Sequence, residues 1–224
     1  MSLVRSSFVI FIFVLLNNNL FCEKVIRKIE ADVTEYDRKT NSTNFYGNVK
    51  IDITNGYIFC DKALYKEKEN KIICEKNVYF VYKSTSEIAE IKVKSSYLEY
   101  NIKNQSAEFK NDIYVVCRST LYVSDYDFSN VDIRCGIINL YNNDKTMIFK
   151  ENVVISTKDS NIFCDIAEYK YGENLLNVNS VEEKRIKFIS LTDKLKMKSC
   201  QANLAIVDFK KEIIILKGKV ELIF

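Results

Sequence analysis

Three aspartates, Asp32, Asp61 and Asp165, recur at one place of a repeated phrase in this 224-residue chain, and paired carboxylates can carry out glycoside chemistry. The chain contains no His, which excludes Ser-His and Cys-His nucleophilic pairs and imidazole metal sites. Aspartate also suits a bend in a strand, and a shared place in a repeat favours that role. We therefore predict that the protein is not an enzyme and has no catalytic residues.

Cysteine is the other reactive residue type, with seven copies in the chain. Cys60, Cys135 and Cys164 occupy equivalent positions of the repeat, where Ala31 stands in the first copy. An exported protein permits disulfides, but equivalent positions in a repeat usually share one packing role. A zinc site needs clustered ligands, which the sequence lacks. We predict that these three cysteines are buried free thiols, and we expect no metal site and no cofactor.

These residues belong to an eight-residue phrase that occurs six times, with the form apolar, any, small, any, any, apolar or small, any, Tyr or Leu. The copies are Ile29–Tyr36, Ile58–Tyr65, Val93–Tyr100, Ile133–Leu140, Ile162–Tyr169 and Met197–Leu204. A second phrase, exemplified by Gly47-Asn48-Val49-Lys50-Ile51, follows most copies about a dozen residues later. Repetition at roughly thirty to forty residues predicts a stacked or sheet-like array in which no unit buries its own apolar face.

The segments between polar turns alternate with a period of two. Val49, Ile51 and Ile53 are apolar, whereas Lys50 and Asp52 between them are charged. This pattern is typical of antiparallel strands with one face on a core and the other in water. With polar turns as hairpins, each repeat supplies about two strands and the six repeats about twelve.

Inside the eight-residue phrase the alternation slips by one residue. Ile58 and Cys60 share one parity and Ala63 and Tyr65 share the other. A bulge or bend at Asp61-Lys62 would return both pairs to the same side of the sheet. Each phrase is therefore predicted to be a bent strand.

The first residues have the layout of a secretory signal peptide. Arg5 is followed by an apolar run, Phe8–Leu16, and by the polar break Asn17–Asn19. Nine apolar residues are about half of what a membrane-spanning helix needs. We predict a signal peptide at 1–22, with an uncleaved anchor as the alternative, and one domain at 23–224. The formal net charge of +3 gives no reason to expect nucleic acid as a partner.

The repeated phrases, with a signal before them, resemble the OstA-like domain of the LptA family of lipopolysaccharide-transport proteins. Ile29–Tyr36, Gly47–Ile53, Ile58–Tyr65 and Ile162–Tyr169 carry the resemblance best. It implies an all-β fold, a twisted V-shaped antiparallel β-jelly roll of about twelve strands. It also implies a periplasmic protein whose apolar groove holds the acyl chains of lipopolysaccharide or another lipid. Chains of this family join head to tail, with copies of themselves or with other OstA-like components.

The predicted lipid-binding groove consists of apolar residues at matching positions of the repeats. They are Val49, Ile51, Ile58, Ala63, Val78, Phe80, Ile133, Ile138, Val153, Ile155, Ile162 and Ala167. Two alternatives remain open at this point. A retained N-terminal helix would fit an LptC-like membrane-anchored component of the same pathway. A β filament without ligand would fill its interior with side chains instead of leaving room for lipid.

Overall fold

The computed structural model describes residues 26–54, 56–82, 88–119, 130–141, 143–157, 160–170, 173, 175–180, 186–190, 198–208 and 213–223. These residues form β-strands and short turns, and no helix occurs among them. The predicted signal or anchor at 1–22 lies outside the described residues. Within the described ranges, no helix is long and apolar enough to cross a membrane.

Sixteen strands occur in the described residues. They are β1 (Ile26–Glu30), β2 (Val33–Asp37), β3 (Ser42–Ile53), β4 (Gly56–Lys66), β5 (Lys71–Tyr82), β6 (Ile88–Asn101), β7 (Ser106–Ser119), β8 (Asn130–Tyr141), β9 (Thr146–Ser156), β10 (Ser160–Lys170), β11 (Leu175–Asn179), β12 (Ile186–Ser190), β13 (Ser199–Ala202), β14 (Leu204–Asp208), β15 (Ile213–Lys217) and β16 (Glu221–Ile223). All belong to one antiparallel sheet, and each strand from β3 to β10 pairs with the next along the chain.

Each long strand carries a register shift near its middle. The pairing of β3 with β4 shifts between Tyr46 and Val49, and that of β4 with β5 shifts between Phe59 and Lys62. Cys60 and Ala63 on either side of the second shift are both buried, although they are three residues apart. The bulge predicted at Asp61-Lys62 is therefore confirmed. We call the line that joins these shifts across the sheet the fold line.

The sheet doubles over along the fold line. Phe80 pairs with Val93, and Phe109 pairs with Leu98, five residues further along β6. In a flat sheet these two Phe residues would lie about 19 Å apart, from about 3.3 Å per residue and about 4.8 Å per strand. Their rings instead meet edge to face, with centroids 5.3 Å apart. The two halves of the sheet therefore face each other as the two sides of a V.

The halves are named leaf 1 and leaf 2. Leaf 1 contains residues 33–37, 42–46, 62–66, 71–75, 97–101, 106–110, 137–141, 146–150, 166–170, 175–179, 204–208 and 213–217. Leaf 2 contains residues 26–30, 49–53, 56–60, 78–82, 88–94, 113–119, 130–134, 153–156, 160–164, 186–190, 199–202 and 221–223.

Eight strands, β3 to β10, cross the fold line unbroken. The other eight form four pairs, β1/β2, β11/β12, β13/β14 and β15/β16, with one member in each leaf. Counted as bent strands, the described chain therefore contains twelve. The predicted all-β antiparallel fold with about twelve strands is confirmed in this sense.

The fold line is built from left-handed corners in some strands and from the bulge of the eight-residue phrase in the strands between them. In β3, β5, β7 and β9 two successive residues have positive φ, and these pairs are Gly47/Asn48, Lys76/Asn77, Asn111/Asp112 and Glu151/Asn152. The strands that carry the eight-residue phrase lie beside these corners, and Asp32 and Asp61 on them contact the corner residues. Asn48 Nδ2 donates to Asp32 Oδ2 at 2.9 Å, and Asn77 Nδ2 donates to Asp61 Oδ2 at 2.7 Å. Asp32 and Asp61 thus serve the bend, because each holds the left-handed corner of the next strand. Asp165 instead accepts a hydrogen bond from the Ser180 hydroxyl at 3.3 Å.

The sixth copy of the phrase was predicted at Met197–Leu204, and this register is wrong. Cys200, Ala202, Ala205 and Val207 are the buried residues, so the copy begins at Cys200 and is displaced by three residues. Its small position is Ala202 and its final position is Val207, and this copy therefore lacks the final Tyr or Leu of the phrase. The Asn203 amide donates to the Lys217 carbonyl at 3.1 Å, as the Asp32 amide donates to Gly47 at 3.0 Å in the first copy.

Candidate functional site

The space between the leaves is the candidate site, because the inward side chains of all twelve bent strands converge there. One apolar cluster runs through the sheet from Phe45 on β3 to Val207 on β14. Its largest fully buried side chains include Phe80, Phe109 and Phe149. No charged side chain is buried among the residues whose burial is described; the buried polar ones are Ser95, Thr146 and Ser160. This interior suits hydrocarbon and offers little to a charged ligand.

All twelve residues predicted to form the groove belong to this cluster, and none is more than 8% exposed. Nine lie on leaf 2: Val49, Ile51, Ile58, Val78, Phe80, Ile133, Val153, Ile155 and Ile162. Three lie on leaf 1: Ala63, Ile138 and Ala167. The structure therefore brings the set onto one continuous internal surface. Contact of these residues with lipid remains a prediction.

Sequence reasoning missed most of leaf 1. Its inward residues that precede the corners, such as Ile72, Phe109 and Phe149, are fully buried and face the predicted set. They were missed because they lie before the recognisable corner phrase and not within it. The same period-two alternation, for example in Ala107-Glu108-Phe109-Lys110, is the signal that marks them.

The two leaves are joined by main chain at the fold line and pack together through apolar side chains. The ion pairs of the surface, such as Lys62–Glu75 at 3.0 Å and Lys71–Glu99 at 2.7 Å, join residues of the same leaf. Apolar contact is non-directional and tolerates exchange of one hydrocarbon surface for another. Separation of the leaves would therefore break apolar contacts and leave these ion pairs in place.

The described carboxylates do not assemble into a metal-binding cluster. No group of three or more His, Cys, Asp or Glu side chains that could hold a metal occurs in the part of the chain that the structure describes. A depression of about 660 Å³ at the fold line is lined in part by Asp112, Glu151 and Arg134. The Arg134 guanidinium lies 5.9 Å from the centre of the Tyr114 ring, so its charge already has a partner.

The predicted thiols are buried and free. Cys60, Cys135 and Cys164 form no disulfide, as predicted, and Cys74 and Cys200 are likewise buried and free. Burial raises the pKa of Cys135 and of Cys164 to about 12. These thiols therefore stay protonated in the folded protein and act as small apolar residues.

Among the described strands, the sheet is open at both ends. β1 and β2 both pair with β3 at one end, while β15 pairs with β14 and β16 with β13 at the other. Apolar side chains are exposed at both ends, including Val33 and Tyr36 near the first and Ile214 and Leu222 near the second. Exposed strand edges of this kind can pair with a strand of another chain.

Comparison with known proteins adds a family. Residues 28–125 match the family model described as LptA/(LptD N-terminal domain) LPS transport protein. This part of the chain, less than half of its length, is therefore similar to the LptA/LptD N-terminal domain family. The matched residues hold the first three copies of the phrase, and the bent-strand geometry continues beyond them through β16.

Among solved structures, the chain is similar to LptH, described as the LptA homologous periplasmic component of the conserved lipopolysaccharide transport device from Pseudomonas aeruginosa. The sequence identity is 10% and the TM-score is 0.34, and the alignment covers 73% of this chain and 93% of that chain. Comparison with curated proteins finds no match.

Proposed function

We propose that this protein is a periplasmic lipid-transport module that passes the acyl chains of a lipopolysaccharide-type lipid along the space between its leaves. The observation that carries the proposal is the unbroken apolar interior of an open-ended, doubled-over sheet. The match of residues 28–125 to the family model described as LptA/(LptD N-terminal domain) LPS transport protein supports the lipid class. Residues 1–22 serve export in this proposal, and 23–224 form one OstA-like domain.

A lipid chain would enter by replacing contacts between the leaves. Burial of its surface contributes about 25 cal/mol per Å² and needs no precise polar partner, so the chain can slide. The interior crosses twelve bent strands at about 4.8 Å each, which gives a path on the order of 50 Å. Such a path is open at both sheet ends, which suits transfer from one molecule to the next.

The interior is tested with a photo-crosslinking phenylalanine placed at one of two neighbouring aromatic positions. Phe80 is 1% exposed and faces the interior, whereas Phe59 on the paired strand is 38% exposed and faces out. Both changes keep an aromatic ring but add a photoreactive group, so circular dichroism must first show that each variant folds. We expect lipopolysaccharide to crosslink at 80 and not at 59. Equal crosslinking at both positions would leave the ligand-free β filament as the better function.

Head-to-tail association through the open edges forms the second part of the proposal, and it is supported by the exposed apolar residues there. Leu222 on β16 is 45% exposed. Replacement by Asp should prevent concentration-dependent association in sedimentation experiments, because a charge on an edge strand blocks pairing. Lys94→Asp, on an exposed outward position in mid-sheet, is the control. Association of Leu222→Asp at the level of the unmodified protein would argue against edge pairing.

Export is tested by the N-terminus of the protein from its native cell. A first residue near Glu23 in the soluble fraction is expected for a cleaved signal. Met1, together with protein in the membrane pellet, would favour the LptC-like anchored component.

A further inference from the structure

The eighth and last position of the phrase is usually Tyr, and the bend of the strand does not explain this residue type. In four copies this position is Tyr36, Tyr65, Tyr100 or Tyr169, and in a fifth it is Leu140. Each is the next-to-last residue of its strand on leaf 1, and the pairing register aligns them in one row across the sheet. Phrase strands alternate with other strands, so neighbouring copies lie about 10 Å apart.

This row lies at the rim of leaf 1, furthest from the fold line. Tyr100 belongs to the apolar cluster, and Tyr65 and Tyr169 pack against it. We call these three residues the tyrosine rim. Their rings therefore border the apolar interior where the hairpin turns begin.

Tyr100 is a buried residue whose hydroxyl has no hydrogen-bond partner among the described residues. The residue is 5% exposed, and its hydroxyl makes no hydrogen bond to any residue that the structure describes. Burial raises the pKa of Tyr100, and the Tyr82 phenol of leaf 2 raises it further. A buried hydroxyl without a partner costs free energy, and native structures rarely keep one without a reason.

The fold itself does not need that hydroxyl. Leu140 occupies the equivalent position on β8 and is buried there as well. Tyr65 repeats the situation of Tyr100 in milder form, since it is half-buried and lacks a hydrogen-bond partner among the described residues. The phenols of Tyr100 and Tyr65 are therefore available to something that enters the interior.

We propose that the tyrosine rim binds the ester or amide carbonyl groups at which acyl chains join the polar part of a lipid. This inference rests on the proposed function, because the chains must lie between the leaves. A tyrosine at such a boundary places its ring against hydrocarbon and its hydroxyl at the polar end. The carbonyl is an uncharged acceptor at the start of the chain, so a phenol can satisfy it without a cation.

A phosphate oxygen is the less suitable acceptor at this depth. The interior offers no buried charged side chain among the residues whose burial is described, and an anion brought there would be desolvated without a counter-charge. The tyrosine rim would thus bind the carbonyl groups that join the acyl chains to the polar part of the lipid, and the charged groups of the lipid would stay outside the leaves. It would fix how far each chain inserts.

The test compares a diacyl phospholipid with its dialkyl ether analogue, which has the same headgroup and chain length but lacks the carbonyls. Lipid A, whose chains are attached by esters and amides, forms a third arm. We expect the unmodified protein to bind the ester lipid roughly three- to tenfold more tightly than the ether, from the usual strength of one hydrogen bond. Tyr100→Phe should abolish this preference, keep ether binding, and weaken lipid A binding by a similar factor.

The control is Tyr79→Phe, since Tyr79 is adjacent to Phe80 and so faces the opposite side of the sheet. It should leave the ester preference unchanged. Tyr100→Phe should also raise the midpoint of urea unfolding, because it removes only a hydroxyl that has no hydrogen-bond partner in the described part of the chain. Equal binding of the ester and ether lipids by the unmodified protein would overturn the proposal that the tyrosine rim binds carbonyl groups. A preference for the ester lipid that survives in Tyr100→Phe would overturn it as well. Failure of all three lipids to bind would overturn the proposed function together with it.

Discussion

We expect Asn77, at a left-handed corner of β5, to contribute measurably to the free energy of unfolding. Lys76 and Asn77 have φ of 62° and 49°, and the Asn77 side chain donates to Asp61 at 2.7 Å. Asn tolerates the left-handed region better than Ala does, and left-handed backbone costs other L-residues about 1–2 kcal/mol. Asn77→Ala removes both the tolerance and the hydrogen bond.

The magnitude follows from these two contributions. We assign about 1 kcal/mol to the backbone and about 0.5 kcal/mol to the hydrogen bond, the low end of the usual range because both residues are exposed. Asn77→Ala should therefore destabilise the fold by about 1.5 kcal/mol. Asn77→Gly restores the backbone freedom and should cost only about 0.5–1 kcal/mol, through the lost bond and a more disordered unfolded chain.

Urea unfolding followed by circular dichroism and tyrosine fluorescence measures the difference, since the chain contains no Trp. With a slope of about 2–3 kcal/mol per M, Asn77→Ala should lower the midpoint by about 0.5–0.75 M. Asn139→Ala is the control, because Asn139 lies in β8 with ordinary strand backbone. If Asn77→Gly costs as much as Asn77→Ala, the left-handed backbone is not the reason that Asn stands there.

Three further predictions concern the core. Cys60→Ala should cost at most about 1 kcal/mol while Cys60→Phe overpacks the site by about 1–3 kcal/mol, measured by the same unfolding assay. Cys135 and Cys164 keep their protons to about pH 12 when folded, whereas a free thiol ionises near its ordinary value of 9.0. Stability from these thiols is therefore complete below pH 9 and is lost as the pH rises from 9 to 12, and a double Cys→Ala variant should show a smaller alkaline loss. Gly56→Ala would place a Cβ 1.9 Å from the Val81 carbonyl oxygen, so it should lower stability by more than about 2 kcal/mol; an unchanged midpoint would mean that β4 and β5 can separate there without cost.

The sequence alone determined the local elements of this protein. Alternation in stretches such as Val49 to Ile53 specified half-buried strands, because side chains alternate between the two faces of a strand. The slip between Cys60 and Ala63 specified a bulge, and the recurring aspartates marked its position. All twelve residues predicted for the groove are buried together, since equivalent positions in a repeat must face the same way.

Only the tertiary structure decided where the halves of each strand go. Periodicity states that a residue faces inward but not what it faces, so nothing in the alternation brings Phe80 against Phe109. The doubling of the sheet depends on corners aligned across many strands, and this alignment is a property of pairing between segments distant in sequence. The same pairing shows the sixth copy to begin at Cys200, because burial and register, and not residue type, define the repeat there. It also gathers the tyrosines of separate phrases into one rim, which no single phrase could specify.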